Sequence, residues 1–224
     1  MSWVALLSGV LPFAVVHVCY AVSVWQGYIP ACFPYLEGCT SISSAGRHGA
    51  GYYLFKAGML PAAVLLALFW PLCREWLLGL GDRPGAELRA MVWIGVTAAV
   101  FLTLYTVFLG SKGDFYNLMR RFGVTVYFSF SYLAQLLLLA RLNRLTRFAV
   151  LTIPAWILQA KLGIAVALLV IGLASIPVKN FMADPGRLEN AIEWIFALLM
   201  VSYYLLTWRA WRATGFRASF RTGA

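Results

Sequence analysis

The chain has 224 residues, of which 62% are hydrophobic and only 12% charged, and its mean hydropathy is +0.80. A water-soluble domain carries about a quarter charged residues, so this composition excludes one and indicates a polytopic membrane protein. The net charge of +10 sits in short stretches beside apolar runs rather than on an aromatic-interleaved basic surface, which argues for anchoring to anionic lipid headgroups and against nucleic acid as a partner.

A helix needs about 20 apolar residues to cross the hydrocarbon core. Six stretches meet that length: Val4–Trp25, Tyr52–Leu72, Arg89–Leu109, Gly123–Leu142, Ile157–Val178 and Ala191–Trp211. The first lacks a basic n-region and is longer than the apolar core of a signal peptide, so it is read as a span. The expected fold class is all-α: an integral membrane bundle of six transmembrane helices in a single domain over residues 1–224. Tryptophan and tyrosine near several span ends fit the interface.

Between the first two spans lies the most distinctive loop, residues 26–51. It carries Cys32 and Cys39, Pro30 and Pro34, a Ser41-Ile42-Ser43 run, and Arg47 and His48. Basic residues orient the chain. Arg74, Arg83, Arg89, Arg141, Arg144, Arg147, Lys161, Arg209, Arg212, Arg217 and Arg221 share a side with the termini. Arg47, Lys56, Lys112, Arg120, Arg121, Lys179 and Arg187 lie opposite. The excess puts both termini in the cytoplasm and the first loop on the exoplasmic face. Glu37, Asp114, Asp184, Glu189 and Glu193 join the second group. On that oxidising side a Cys32–Cys39 disulfide is chemically permitted, two free thiols being the alternative. No metal site is expected, because His48 is the one imidazole near the cysteines, and no cofactor motif occurs. Cys19 and Cys73 fall in or beside apolar runs as small hydrophobes.

The second loop, Cys73 to Leu88, reads as a connector. Arg141, Arg144 and Arg147, spaced three apart, read as a basic stripe toward lipid phosphates. The apolar run from Phe148 to Val178 exceeds one crossing, so Phe148 to Trp156 is placed at the interface with Lys161 snorkelling; a buried, paired Lys161 is the rival. The tail, residues 208–224, mixes Trp208, Trp211, Phe216 and Phe220 with arginines and reads as a cytoplasmic amphipathic anchor.

Charges at membrane depth need partners. Lys56 lies about one turn into the second span, while Glu189 and Glu193 share a face of the last by their i, i+4 spacing; a Lys56–Glu193 pair satisfies both. Arg120 and Arg121 open the fourth span, where arginine forks onto phosphate or carboxylate. The convergence of Arg47, His48, Lys56, Arg120, Arg121, Glu189, Asn190 and Glu193 at one face predicts a polar pocket capped by the first loop. His17, mid-span, reads as a hydrogen-bonded packing residue, and His48 as the better acid or base. Ser41 and Ser43 lack a nucleophile frame and read as turn caps. Neither G-x-x-x-x-G-K-[ST], H-E-x-x-H nor C-x-x-C occurs, so nucleotide hydrolysis, zincin and thioredoxin-like chemistry lack sequence support.

The Thr40-Ser41-Ile42-Ser43 loop, leading through Tyr53-Leu54-Phe55 to Met59-Leu60-Pro61, together with Glu193-Trp194-Ile195-Phe196-Ala197, resembles the Frag/DRAM/Sfk family of six-helix membrane proteins. That family includes the autophagy modulator DRAM and a factor that remodels the lipid of glycosylphosphatidylinositol anchors. Where many relatives open the fourth helix with histidine, this chain has Arg120 and Arg121. The compact basic chain looks bacterial, which implies an inner-membrane location and a lipid-linked role with the substrate open. The leading expectation is a lipid-handling protein whose exoplasmic pocket takes a phospholipid or glycolipid headgroup through Arg47, Lys56, Arg120, Arg121, Glu189 and Glu193. The alternatives are a lipid-remodelling acyltransferase or hydrolase with His48 or Glu193 as base, and a structural or assembly protein with partners in the membrane. Whether the chain is an enzyme is left open.

Overall fold

The computed structural model describes residues 2–148, 153–181 and 185–217. Asp184 and Arg221 of the charge balance, and residues 149–152 and 218–224, lie outside the described residues. Six long apolar helices run α1 (Ser2–Trp25), α4 (Gly49–Gly79), α5 (Ala86–Phe108), α6 (Asp114–Phe148), α7 (Ala155–Phe181) and α8 (Pro185–Ala213), with two single-turn helices, α2 (Pro34–Glu37) and α3 (Ile42–Ala45), in the first loop. All six are long and apolar enough to cross a membrane, and the chain is a multi-pass, all-α bundle. Helical segments satisfy their own backbone hydrogen bonds, which hydrocarbon demands.

Neighbouring long helices form a ring: α1 packs on α4, α4 on α5 and α5 on α6, while α7 packs on α8 and α8 returns to α1. The ring is loosest between α6 and the α7–α8 pair. Leu162, Val166, Leu169, Val170, Leu173 and Ile176 of α7 are exposed; their spacing of three to four residues gives this helix an apolar outer stripe suited to lipid. The inner faces meet in an aromatic core. Phe69 stacks on Trp211 at 5.6 Å and meets Tyr204 edge-on at 5.0 Å. Trp70 lies flat against Gly95, where a Cβ would fall 2.3 Å from the indole; glycine at 95 is what lets α4 and α5 close on that ring.

Several helices outrun the apolar stretches that announced them. α4 continues past Leu72 to Gly79, with Pro61 and Pro71 inside it, and α6 begins at Asp114 rather than Gly123. Arg141 is no lipid-facing stripe residue. It is 8% exposed and donates from Nε to Asp82 at 2.8 Å, from Nη1 to Glu87 at 2.8 Å and from Nη2 to Asp82 and, at 3.2 Å, to the Arg83 carbonyl. The second loop is thus clamped to α6. The snorkelling expected of Lys161 is also overturned. Its side chain is fully buried, donating to Thr207 Oγ1 at 2.6 Å and the Tyr203 carbonyl at 3.3 Å, with Nζ 3.4 Å from the Tyr203 ring centroid. The tail does not depart from the bundle at 208: α8 runs unbroken to Ala213, Trp211 is buried, and Phe216 folds back onto it at 5.1 Å.

The first loop is built as a cap. Cys32 and Cys39 are disulfide-bonded, closing a short hairpin around α2. Gly38 ends that helix at φ 57° and lies so close to α8 that a Cβ would fall 1.8 Å from the Arg187 carbonyl oxygen. Asn190 donates to the Gly38 carbonyl at 2.9 Å, Trp194 Nε1 to the Thr40 carbonyl at 2.9 Å, and Tyr20 bonds the Cys32 backbone from α1. Replacing Cys32 and Cys39 together with serine is expected to lower stability by about 2 kcal/mol, the low end for a bridge closing a short loop, read as a shift in thermal unfolding in detergent; an unchanged transition would show that these docking contacts hold the cap without the bridge.

Candidate functional site

Beneath the cap, the first turns of α6 and α8 and the end of α5 bring polar groups together. Ser41 caps α3 by accepting the Ser44 amide at 3.0 Å, and its hydroxyl meets that of Ser43 at 3.1 Å. Arg47 Nη2 donates to Ser43 Oγ at 3.3 Å. These serines are the loop's internal frame, as the absence of a nucleophile motif implied. The frame turns the backbone amides of Ile42 and Ser43 toward the Glu193 carboxylate, and Arg47 and Arg120 are the cations acting on it. Burial and the neighbouring Arg120 pull the Arg47 guanidinium below the usual arginine range, opposed by Tyr105 and Glu193. The Arg47 Nε is buried without a partner. Tyr105 of α5 presents a buried hydroxyl to Ser43 but makes no hydrogen bond of good geometry.

The expected Lys56–Glu193 pair is not formed. Lys56 donates to Tyr52 Oη at 2.5 Å and lies 4.2 Å over the same ring, one turn back on its own helix. Glu193 faces the Ile42 and Ser43 amides instead, with Arg47 and Arg120 as its neighbouring cations. His48 caps the start of α4 without a side-chain cap bond and stacks on Tyr28 at 5.4 Å; it lines neither cavity that Glu193 lines. The residues actually brought together are Arg47, Arg120, Arg121, Glu189 and Glu193, with Ser43 and Tyr105.

Two adjoining cavities meet at Glu193 and share Tyr105, Val124 and Phe128. The wider, about 400 Å³, lies on the loose α6–α8 side and is lined by Arg120, Arg121, Glu189 and Glu193 above Phe128, Ile192 and Phe196. The narrower, about 50 Å³, is an apolar slot reaching His17, Tyr35 and Trp194, with room for a few waters. His17 is the hydrogen-bonded packing residue expected of it and also lines the slot, while Tyr35 was not foreseen there. His17 Nδ1 lies 2.7 Å from the Phe13 carbonyl, an acceptor, so Nδ1 carries the proton and Nε2 accepts from the Tyr35 hydroxyl at 3.0 Å. Burial pushes the Tyr35 hydroxyl above its usual range. The spacing of Phe13, His17 and Tyr20 on one face of α1 was the available signal; that this face meets α8 was not in the sequence.

Among the described residues, no group of three or more His, Cys, Asp or Glu side chains is placed to hold a metal ion. What the arrangement can do is bind: forked donors and carboxylates stand at the rim of a cleft whose floor is apolar. No family model, curated protein or solved structure matches the chain.

Proposed function

We propose that this chain binds or handles the headgroup of a phospholipid or glycolipid at the pocket around Glu193, with that pocket on the exoplasmic face, both termini cytoplasmic, and the bacterial inner membrane as its location. One observation carries the reading. Two guanidiniums, two carboxylates and an unbonded tyrosine hydroxyl line one cavity whose deeper wall is apolar and which lies on the loosest seam of a membrane bundle. Charged groups kept at membrane depth call for a partner or a ligand, and arginine forks match phosphate. The cap acts as a lid fastened by Asn190 and Trp194. The resemblance of the capping loop and the start of α8 to the Frag/DRAM/Sfk family supports a lipid-linked role.

A second reading, a lipid-remodelling acyltransferase or hydrolase, draws support from His17 and Glu193 lining the same apolar slot; with His48 stacked elsewhere, these two are the acid–base candidates. The test is mass spectrometry of lipid retained in mild detergent. Arg120→Ala/Arg121→Ala protein is expected to lose at least about ten-fold in retained lipid, since each charge-assisted hydrogen bond contributes about 1.5–3 kcal/mol, while His48→Ala leaves retention unchanged. Retention of the same lipid at the same affinity by the arginine variant would refute the phosphate site. Lipid turnover lost in Glu193→Gln or His17→Ala with binding kept would establish the enzymatic reading; absence of any bound lipid would leave a structural role.

A further inference from the structure

Resting on that reading, we propose that the occupant is a diacyl phospholipid that threads one acyl chain into the apolar slot below Glu193, its ester carbonyl accepting from the Tyr105 hydroxyl where the two cavities meet. Tyr105 is 4% exposed, and its hydroxyl has no hydrogen-bond partner although the residue lies on the wall of both cavities. A buried donor left unmade costs more than a made bond contributes, so a hydroxyl kept in this place suits an acceptor that arrives from outside the chain. Other polar atoms on the slot are spent internally: His17 on the Phe13 carbonyl, Tyr35 on His17, and Trp194 on the Thr40 carbonyl. Arg47 Nε is a second buried donor without a partner, and Arg47, Arg120 and Glu193 are the charges that act on Tyr105.

The two cavities follow the order of such a lipid's parts. Arg120 and Arg121 line the wider cavity alone, Tyr105 and Glu193 line both, and Pro12, Leu102 and Val201 line only the slot. Phosphate at the arginines thus leads to a carbonyl at Tyr105 and a chain beyond it. On α8 the slot runs from Glu193 to Val201, about 12 Å along the helix axis. Within it about 50 Å³ is open to the centres of water-sized atoms; drawn out over that length, this admits one file of methylenes and not two. The second chain stays in the wider cavity, whose apolar wall of Phe128, Ile192 and Phe196 lies on the seam where α6 and α8 touch little. Burying a methylene chain in the slot is favourable for any lipid, so it is the carbonyl that Tyr105 selects. An ether-linked lipid keeps the bridging oxygen but brings no carbonyl, and leaves that hydroxyl unpaired.

The test is native mass spectrometry of the full chain offered, in equal amounts, phosphatidylethanolamine and phosphatidylglycerol, each as the dipalmitoyl ester and as the dihexadecyl ether. The expected result is about a ten-fold preference for ester over ether in the retained headgroup class. Tyr105→Phe keeps the slot and removes the donor, so it should abolish that preference while unfolding at the same temperature as the parent. A second measurement needs no substitution: a phospholipid with a diazirine midway along one acyl chain is expected to label residues 12–16 and 197–201 inside the slot. Equal retention of ester and ether, both still lost in Arg120→Ala/Arg121→Ala, overturns the carbonyl assignment and leaves the headgroup reading standing, and so does a preference that Tyr105→Phe does not alter. Labels confined to outward positions of α7, such as Leu169 and Leu173, overturn the threaded chain. No retained lipid at all overturns both readings together.

Discussion

Replacing Arg141 with alanine is expected to cost about 3–5 kcal/mol of stability, the range for breaking a buried charge pair from one side. The reason lies in what remains. Asp82, whose side chain is 7% exposed, would keep its charge with its forked partner gone, and the Arg83 carbonyl would lose its donor. Glu87 matters less, being 59% exposed and able to turn to water. Arg141→Lys keeps the charge but loses the planar fork, so it should fall between the parent and Arg141→Ala. Adding Asp82→Asn to Arg141→Ala should recover part of the loss. Unfolding in mixed micelles checks the series; an Arg141→Ala chain as stable as the parent would mean that the second loop is not held to α6 by this clamp.

Lys161 is expected to behave in the opposite way. It is buried between α7 and α8 with a hydroxyl, a carbonyl and an aromatic face as partners, none of them a carboxylate. Exchange for methionine, which matches its length and removes the cost of burying an ammonium, should be neutral or stabilising. Lys161→Ala should cost about 2–4 kcal/mol, because the stem leaves a cavity against Tyr203. Equal losses in both variants would mean that the ammonium, not the packing of its stem, holds the two helices together.

These two residues also show how far the sequence could be read. Apolar length alone found all six helices, because hydrocarbon thickness sets a length that few loops imitate. Hydropathy cut them short, since Arg120, Arg121 and the Arg141 to Arg147 run break an apolar window but not a helix. By its spacing with Arg144 and Arg147, Arg141 reads as a lipid-facing residue. Asp82 and Glu87, among the few acids on that side of the bundle, were the signal that it had partners nearer than lipid. Glu193, Glu189, Arg120 and Arg121 were legible as a cluster because topology sends all of them to one end. Which cation meets Glu193 was not, because that depends on how α3 docks beneath the cap and on the order of helices around the ring, which leaves Lys56 to Tyr52 on its own helix. That His17 and Tyr105 line the cavities stayed hidden for a related reason: a lone polar side chain in an apolar run looks the same whether it faces a neighbour's backbone or a cavity.

On the proposed function, a lipid headgroup sits between α6 and α8 against Arg120, Arg121 and Glu193. Photo-crosslinking with a phospholipid bearing its diazirine near the headgroup, followed by peptide mapping, tests it most directly. Labels concentrated on residues 120–129 and 189–196, and lost in Arg120→Ala/Arg121→Ala protein that unfolds at the same temperature as the parent, are the predicted result. Labels spread evenly over the exposed apolar faces of α1, α5 and α7, and indifferent to the two arginines, would contradict it.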